Sequence, residues 1–203
     1  MRKEAIKLLD IMIEDKYTGN LDDNRLIEKY QDRVIKLNDP GFAEFFAWFV
    51  PTSDRKTLGQ MVIDSDDPFL NIFYPLFVDP SRYLENGEVI MRSDDPVLNY
   101  CFPILFDGAD VLGHGRAILR SENIKFIYKY PRDVKGADKE AHGEFILNSD
   151  NDYYKMAYVR DVLNNSEIVD SIKDADIRKR SKLLIKVCNL SKEGFDVRDY
   201  WKI

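Results

Sequence analysis

Histidine and cysteine are scarce in this chain, two of each in 203 residues. Cys101 and Cys188 show no metal-ligand spacing and no dense framework, which excludes a cysteine-built metal centre and a disulfide scaffold and leads us to expect a reduced, intracellular protein. Long apolar runs are missing as well. No stretch approaches the ~18 residues of a membrane span, and Met1-Arg2-Lys3-Glu4 puts charges where a signal peptide carries its apolar core. A cytoplasmic protein with no membrane partner is the expectation. Positive charge is not in excess: 30 Lys and Arg stand against 36 Asp and Glu, a net charge of −6 with a pI near 5.1. A general nucleic-acid or anionic-membrane surface would need a basic patch. Glycines are dispersed rather than clustered, so no phosphate-cradling loop is present. No serine or cysteine nucleophile has a local signature. The sequence therefore predicts neither a cofactor nor an enzyme. What it does supply is 44% apolar and 12% aromatic residues, enough for a substantial core.

Those residues recur with a fixed period. Asp66-Asp67-Pro68-Phe69-Leu70-Asn71 returns 28 positions later as Asp94-Asp95-Pro96-Val97-Leu98-Asn99, and Tyr74-Pro75-Leu76-Phe77 returns as Phe102-Pro103-Ile104-Leu105. Gly59, Gly87, Gly115 and Gly143 fall in register, and so do Ser65, Ser93, Ser121 and Ser149. An apolar triplet runs between each glycine and serine, as in Val89-Ile90-Met91. A constant period of this length is the signature of a stacked array in which each copy buries its neighbour.

Within a copy, two apolar segments are predicted. Asp66 and Asp67 before Pro68 read as a helix start, an acidic cap followed by proline where no N–H is needed. The second segment spaces Leu84, Gly87, Ile90 and Met91 three or four apart, which is helical. Glycine in mid-helix is unfavourable by about 1 kcal/mol against alanine, so its retention predicts close approach of a neighbouring helix. Pro75, Pro103 and Pro131 interrupt the first segment, where they would kink a helix, end a short one, or belong to a strand in a β-α repeat. The absence of period-two alternation, with Ala47 and Val159 at the same place in other copies, favours two helices. Upstream, Ile6, Leu8, Leu9, Met12 and Ile13 share one helical face. Leu26, Ile27, Tyr30, Val34 and Leu37 share another, and that second helix reads as half a repeat opening the stack.

Ile127-Tyr128-Lys129-Tyr130-Pro131-Arg132-Asp133-Val134-Lys135-Gly136-Ala137-Asp138, with Phe106-Asp107-Gly108-Ala109-Asp110 and Tyr158-Val159-Arg160-Asp161-Val162 as partial copies, resembles a family of 28-residue α-helical (HEAT-like) repeats found in phage and bacterial proteins. The likeness spans roughly residues 38–163. The three prolines depart from the alanine of that pattern. The resemblance implies an all-α fold, an α-solenoid, and a phage or prophage origin. It implies no activity.

The expected architecture is a single α-helical repeat domain over 1–203, with an N-terminal cap over 1–37, repeats over 38–163 and a C-terminal cap over 164–203. Two surfaces stand out on it. Asp39, Asp66, Asp67, Asp94 and Asp95 form an acidic column that serves as helix caps or as a ridge meeting a basic partner. Residues 38–121 carry 13 acidic and 6 basic side chains, so the acidity is concentrated there. Arg178, Lys179, Arg180 and Lys182 form the one basic cluster, a solvated face or a phosphate contact. His114 and His142 share a column with Leu58 and Asn86. Neighbouring helices pack roughly 8–10 Å apart, too far for two such residues to grip one zinc, so a surface ladder is expected. Cys101 is read as a small core residue. The predicted function is non-catalytic binding of a protein partner, such as a host protein inhibited by a phage accessory protein. The alternatives are an acidic DNA mimic or nucleic-acid-associated repeat protein, and an enzyme with an unrecognised site.

Overall fold

A computed structural model describes residues 2–19 and 23–163 of the chain. Every regular element among them is helical. In order they are α1 (Arg2–Tyr17), α2 (Asn24–Leu37), α3 (Pro40–Phe49), α4 (Arg55–Asp64), α5 (Pro68–Phe77), a 3-10 turn (Pro80–Arg82), α6 (Tyr83–Ser93), α7 (Pro96–Leu105), α8 (Val111–Arg120), α9 (Ile124–Asp133), α10 (Lys139–Asn148), α11 (Asp152–Tyr158) and a π turn (Val159–Leu163). The expected C-terminal cap over 164–203 lies outside the described residues, as does Cys188.

The helices begin where the sequence chemistry says they should. Asp39, Asp67 and Asp95 cap α3, α5 and α7, each accepting from backbone N–H groups of the first turn, with Pro40, Pro68 and Pro96 next in line. Asn151 caps α11 in the same way, whereas Asn123 before α9 makes no capping bond. Asp54, Asp110 and Asp138 cap α4, α8 and α10. Pro75, Pro103 and Pro131 sit inside α5, α7 and α9, which run on for two residues beyond them. The strand reading of these segments is therefore set aside. A proline this close to a helix end removes one backbone bond and leaves the preceding turns intact.

The serine column closes one helix and opens the next. Ser65, Ser93, Ser121 and Ser149 each donate the side-chain hydroxyl to a carbonyl three residues back, at 2.6–2.7 Å. The hydroxyls of Ser65, Ser121 and Ser149 also accept the N–H two residues on. Between helices the chain turns through Asn38, Asp66, Asp94 and Glu122, all with φ of 50–54°. Short polar side chains tolerate that left-handed conformation better than β-branched ones.

The described helices fall into two compact units, divided between Ser93 and Asp94. In the first, Leu8, Met12, Ile27, Tyr30, Val34, Phe46, Ala47, Leu58, Val62 and Tyr74 form a buried core, with α3 and α4 paired and α5 and α6 paired. Ile6, expected on the inner face of α1, is instead 54% exposed, because that face narrows to Leu8 and Met12. In the second unit the core is built from Ile118, Ile127, Tyr130, Ile146, Ala157, Tyr158 and Val159, with α7 paired to α8 and α9 to α10.

Three glycines of the column do what their retention predicted. A Cβ on Gly59 would stand 2.8 Å from the Tyr74 ring, one on Gly115 3.1 Å from Tyr130, and one on Gly143 3.0 Å from Tyr158. Each of these tyrosines then passes its hydroxyl to a carbonyl at the start of the glycine's own helix: Arg55, Val111 and Lys139. Ring on glycine, with the hydroxyl anchored, is thus a three-times-used joint within the described helices.

Candidate functional site

The acidic column is largely occupied by local structure. Asp39, Asp67 and Asp95 face the free N–H groups of their own helices, within 2.8–3.3 Å. Asp66 pairs with Arg92 at 2.7 Å and Asp94 with Arg120 at 2.5 Å. The structure brings these residues to successive helix starts, as caps and exposed ion pairs. The basic cluster of Arg178, Lys179, Arg180 and Lys182 lies outside the described residues.

The histidines are not a surface ladder. His114 and His142 are fully buried, as are Leu58 and Asn86 of the same column. The sequence period shows which positions are equivalent but not which way the column faces, and here it faces the core. Asn99 donates its amide to Asp95 O, which leaves its Oδ1 to accept from His114 Nδ1 at 2.8 Å. His142 Nδ1 donates to Ile127 O at 2.9 Å. Both rings therefore carry a proton on Nδ1, and among the described residues neither Nε2 has a hydrogen-bond partner. Burial drives both histidines below the usual imidazole range, His114 to about 4. Among the described residues no three His, Cys, Asp or Glu side chains gather as a metal site would require. Cys101 is half-buried rather than core, on the face of α7.

The most distinctive surface is one that sequence reading missed. In the first unit, α3 and α5 border an open groove of about 380 Å³, lined by Gly41, Glu44, Phe45, Trp48, Phe73, Phe77 and Val78. Its rings are ordered against one another: Phe45 packs on Trp48 at 6.0 Å and Phe49 at 5.5 Å, and Phe73 stacks on Phe77 at 5.9 Å. Trp48 is 55% exposed and Phe77 60%. Phe69, Phe73 and Leu76 are exposed on the same helix as Phe77. These water-facing aromatics form a contiguous apolar patch rather than single exposed residues.

Glu44 is the single ionisable group in the lining. It is half-buried, and burial followed by the carboxylate of Asp67 pushes it up to about 7. No side chain among the described residues bonds to it or pairs with it. The nearby α5 carries no charged residue at all. That was the legible signal, because a surface helix with no polar face is either buried or covered.

The aromatic residues around α9 in the second unit are arranged differently. Lys129 lies over the rings of Tyr100 and Phe126 at about 6 Å. The Arg132 guanidinium lies 5.2 Å from the Tyr128 ring centre and pairs with Asp133 at 2.6 Å. There the chain supplies its own cations to its own rings. Among the described residues no helix is long and apolar enough to cross a membrane. Set against known protein families, curated proteins and solved structures, the chain matches none of them.

Proposed function

We propose that this chain is a non-catalytic protein-binding α-solenoid of stacked 28-residue helix pairs. The observation that carries the binding reading is the exposed aromatic groove between α3 and α5, where Trp48, Phe73 and Phe77 stand in water. Trp and other aromatics concentrate at the energetic centres of protein interfaces, and two helices bordering an apolar trough suit a partner helix. The solenoid reading rests on helices that start at Pro40, Pro68, Pro96, Ile124 and Asp152, one period apart, and on the shared glycine–tyrosine joint. On the resemblance to phage and bacterial repeats, the partner would be a host protein and the chain a phage or prophage accessory protein that inhibits it.

The groove is favoured over the acidic column as the contact surface, because the column's carboxylates already serve caps and ion pairs. The same point weighs against an acidic DNA mimic, which needs a run of uncommitted negative charge.

Affinity purification from the native host, followed by cross-linking, tests the reading with three proteins: the parent, a Trp48→Ser/Phe73→Ser variant, and a variant with Asp66, Asp67, Asp94 and Asp95 reversed in charge. We expect a specific partner, cross-linked at the groove, to be retained by the parent and the charge-reversed protein and lost by the groove variant. Retention by the groove variant with loss on charge reversal would return the acidic ridge to first place.

A further inference from the structure

We infer that the α3–α5 groove receives an apolar, helical segment of a partner protein carrying one arginine, whose guanidinium lies among the groove's rings and pairs with Glu44. This rests on the protein-binding reading above and adds the chemistry of the partner.

Three observations lead there. First, Glu44 is a half-buried carboxylate in an aromatic trough, with no cation paired to it among the described residues. A carboxylate held out of water and unpaired is unfavourable, and the group that relieves it is a positive charge brought by whatever fills the trough. Second, the rings bordering Glu44 suit a planar cation. Guanidinium stacks on aromatic faces and binds carboxylate through two parallel N–H bonds, whereas ammonium does neither as well. Third, the chain already uses this combination where it supplies both sides itself. Arg132 lies on Tyr128 and pairs with Asp133 in the second unit. The groove holds the rings and the carboxylate of that arrangement, and no described residue of its lining supplies the cation.

The apolar part of the segment follows from the rest of the lining. Phe45, Trp48, Phe73 and Phe77 offer no hydrogen-bonding groups beyond the Trp48 indole, so the partner's other contacts in the trough are aliphatic or aromatic. The opening is a trough between two helices rather than an enclosed cavity, which fits an extended macromolecular face better than a small molecule.

The test uses the full chain and a fluorescein-labelled amphipathic peptide of leucine and alanine with one arginine on its apolar face. Matched peptides carry lysine, citrulline or leucine at that position. Citrulline keeps the shape of arginine and removes the charge. Binding is followed by fluorescence anisotropy, with tryptophan emission in a Trp201→Phe background, which leaves Trp48 alone, as a second signal. The arginine peptide is expected to bind at least about tenfold more tightly than the citrulline peptide. Glu44→Gln should abolish that preference while still binding the leucine peptide, and Phe73→Ser should weaken every peptide. Far-UV circular dichroism and a thermal melt show that both variants are folded. Equal binding of arginine and citrulline peptides overturns the inference and leaves the protein-binding reading standing, as does an arginine preference that survives Glu44→Gln. Failure of the folded parent to bind any of the four overturns this groove as a peptide site and removes the main support for that reading. A parent that dimerises by light scattering, with dissociation on Trp48→Ser, makes a second copy the occupant and overturns the inference.

Discussion

The ring of Tyr158 closes over the backbone of Gly143, so that a methyl group placed there would stand 3.0 Å from Tyr158 Cε1 and 3.2 Å from its hydroxyl oxygen. Tyr158 has no freedom to retreat, because its hydroxyl is bound to Lys139 O and its ring is fully buried. Alanine gains about 1 kcal/mol over glycine in helix propensity, while overpacking a filled site costs about 1–3 kcal/mol. Gly143→Ala, Gly115→Ala and Gly59→Ala are each expected to be destabilising by up to about 2 kcal/mol on these figures. Gly59→Ala should be worst, since its methyl would lie 2.8 and 2.9 Å from the Tyr74 ring. Urea unfolding midpoints decide it. A rise in midpoint for any of the three would mean that the tyrosine joint is softer than its geometry.

The buried histidines give the second unit an acid limit. His114 and His142 are depressed by burial, His114 to about 4, opposed by Asp110 at the first and by the bond to Ile127 O and then Asp138 at the second. A base whose folded pKa lies below its unfolded value binds more protons when unfolded. Its contribution is therefore intact above the ordinary imidazole pKa of ~6.5 and is lost as pH falls towards the folded value. For His114, stability should drop between about pH 6.5 and pH 4 with a slope approaching 1.4 kcal/mol per pH unit, and His142 adds to the loss in the same direction. His114→Gln, which keeps an amide to meet Asn99, should flatten that slope. Urea midpoints at several pH values read this directly, and an unchanged slope would show that the neutral rings are not the acid-sensitive groups.

The histidine column also shows where sequence reading stops. Caps, prolines and glycines were legible because each carries a local backbone requirement: an N–H to satisfy, a fixed φ, room for a ring. The period located the caps at Asp39, Asp67 and Asp95, the prolines and the glycine column, but not the caps at Asp54, Asp110 and Asp138. Whether a column faces in or out depends on partners elsewhere in the chain, such as Asn99 for His114, fifteen residues earlier, and no local rule supplies that. Glu44 was missed for a similar reason. Amid Phe42, Phe45, Phe46, Trp48 and Phe49 it looks like the solvated side of a helix, and only the packing of α5 beside it turns that side into a trough.

Glu44 should act on stability in the opposite sense to the histidines. Its folded pKa is raised to about 7 by burial and by Asp67. An acid raised above its unfolded value contributes fully below the unfolded pKa, and that contribution is lost as pH rises through the folded one. Glu44→Gln is thus expected to raise the melting temperature at pH 8 and to leave it nearly unchanged at pH 4.5. Such a gain at neutral pH is what a residue held for binding rather than folding should show. A melting temperature lowered at pH 8 would mean that the carboxylate is structurally paired after all.

Asp66 and Asp67 are adjacent carboxylates with different jobs, and salt should separate them. Asp67 accepts the N–H groups of Phe69 and Leu70 at the head of α5. Removing such a cap typically costs about 1 kcal/mol, through a short hydrogen bond that salt barely screens. Asp66 turns the chain at φ 53° and meets Arg92 across an exposed gap, an interaction worth at most about 1 kcal/mol and weakened by ions. Asp67→Ala should therefore lower stability by a similar amount at low and at 1 M sodium chloride. Asp66→Asn keeps a residue that tolerates the left-handed turn, so its smaller loss should vanish at high salt. If both losses disappear in salt, the acidic column is acting through its field rather than through its caps, and the case for a charged ridge on this face strengthens accordingly.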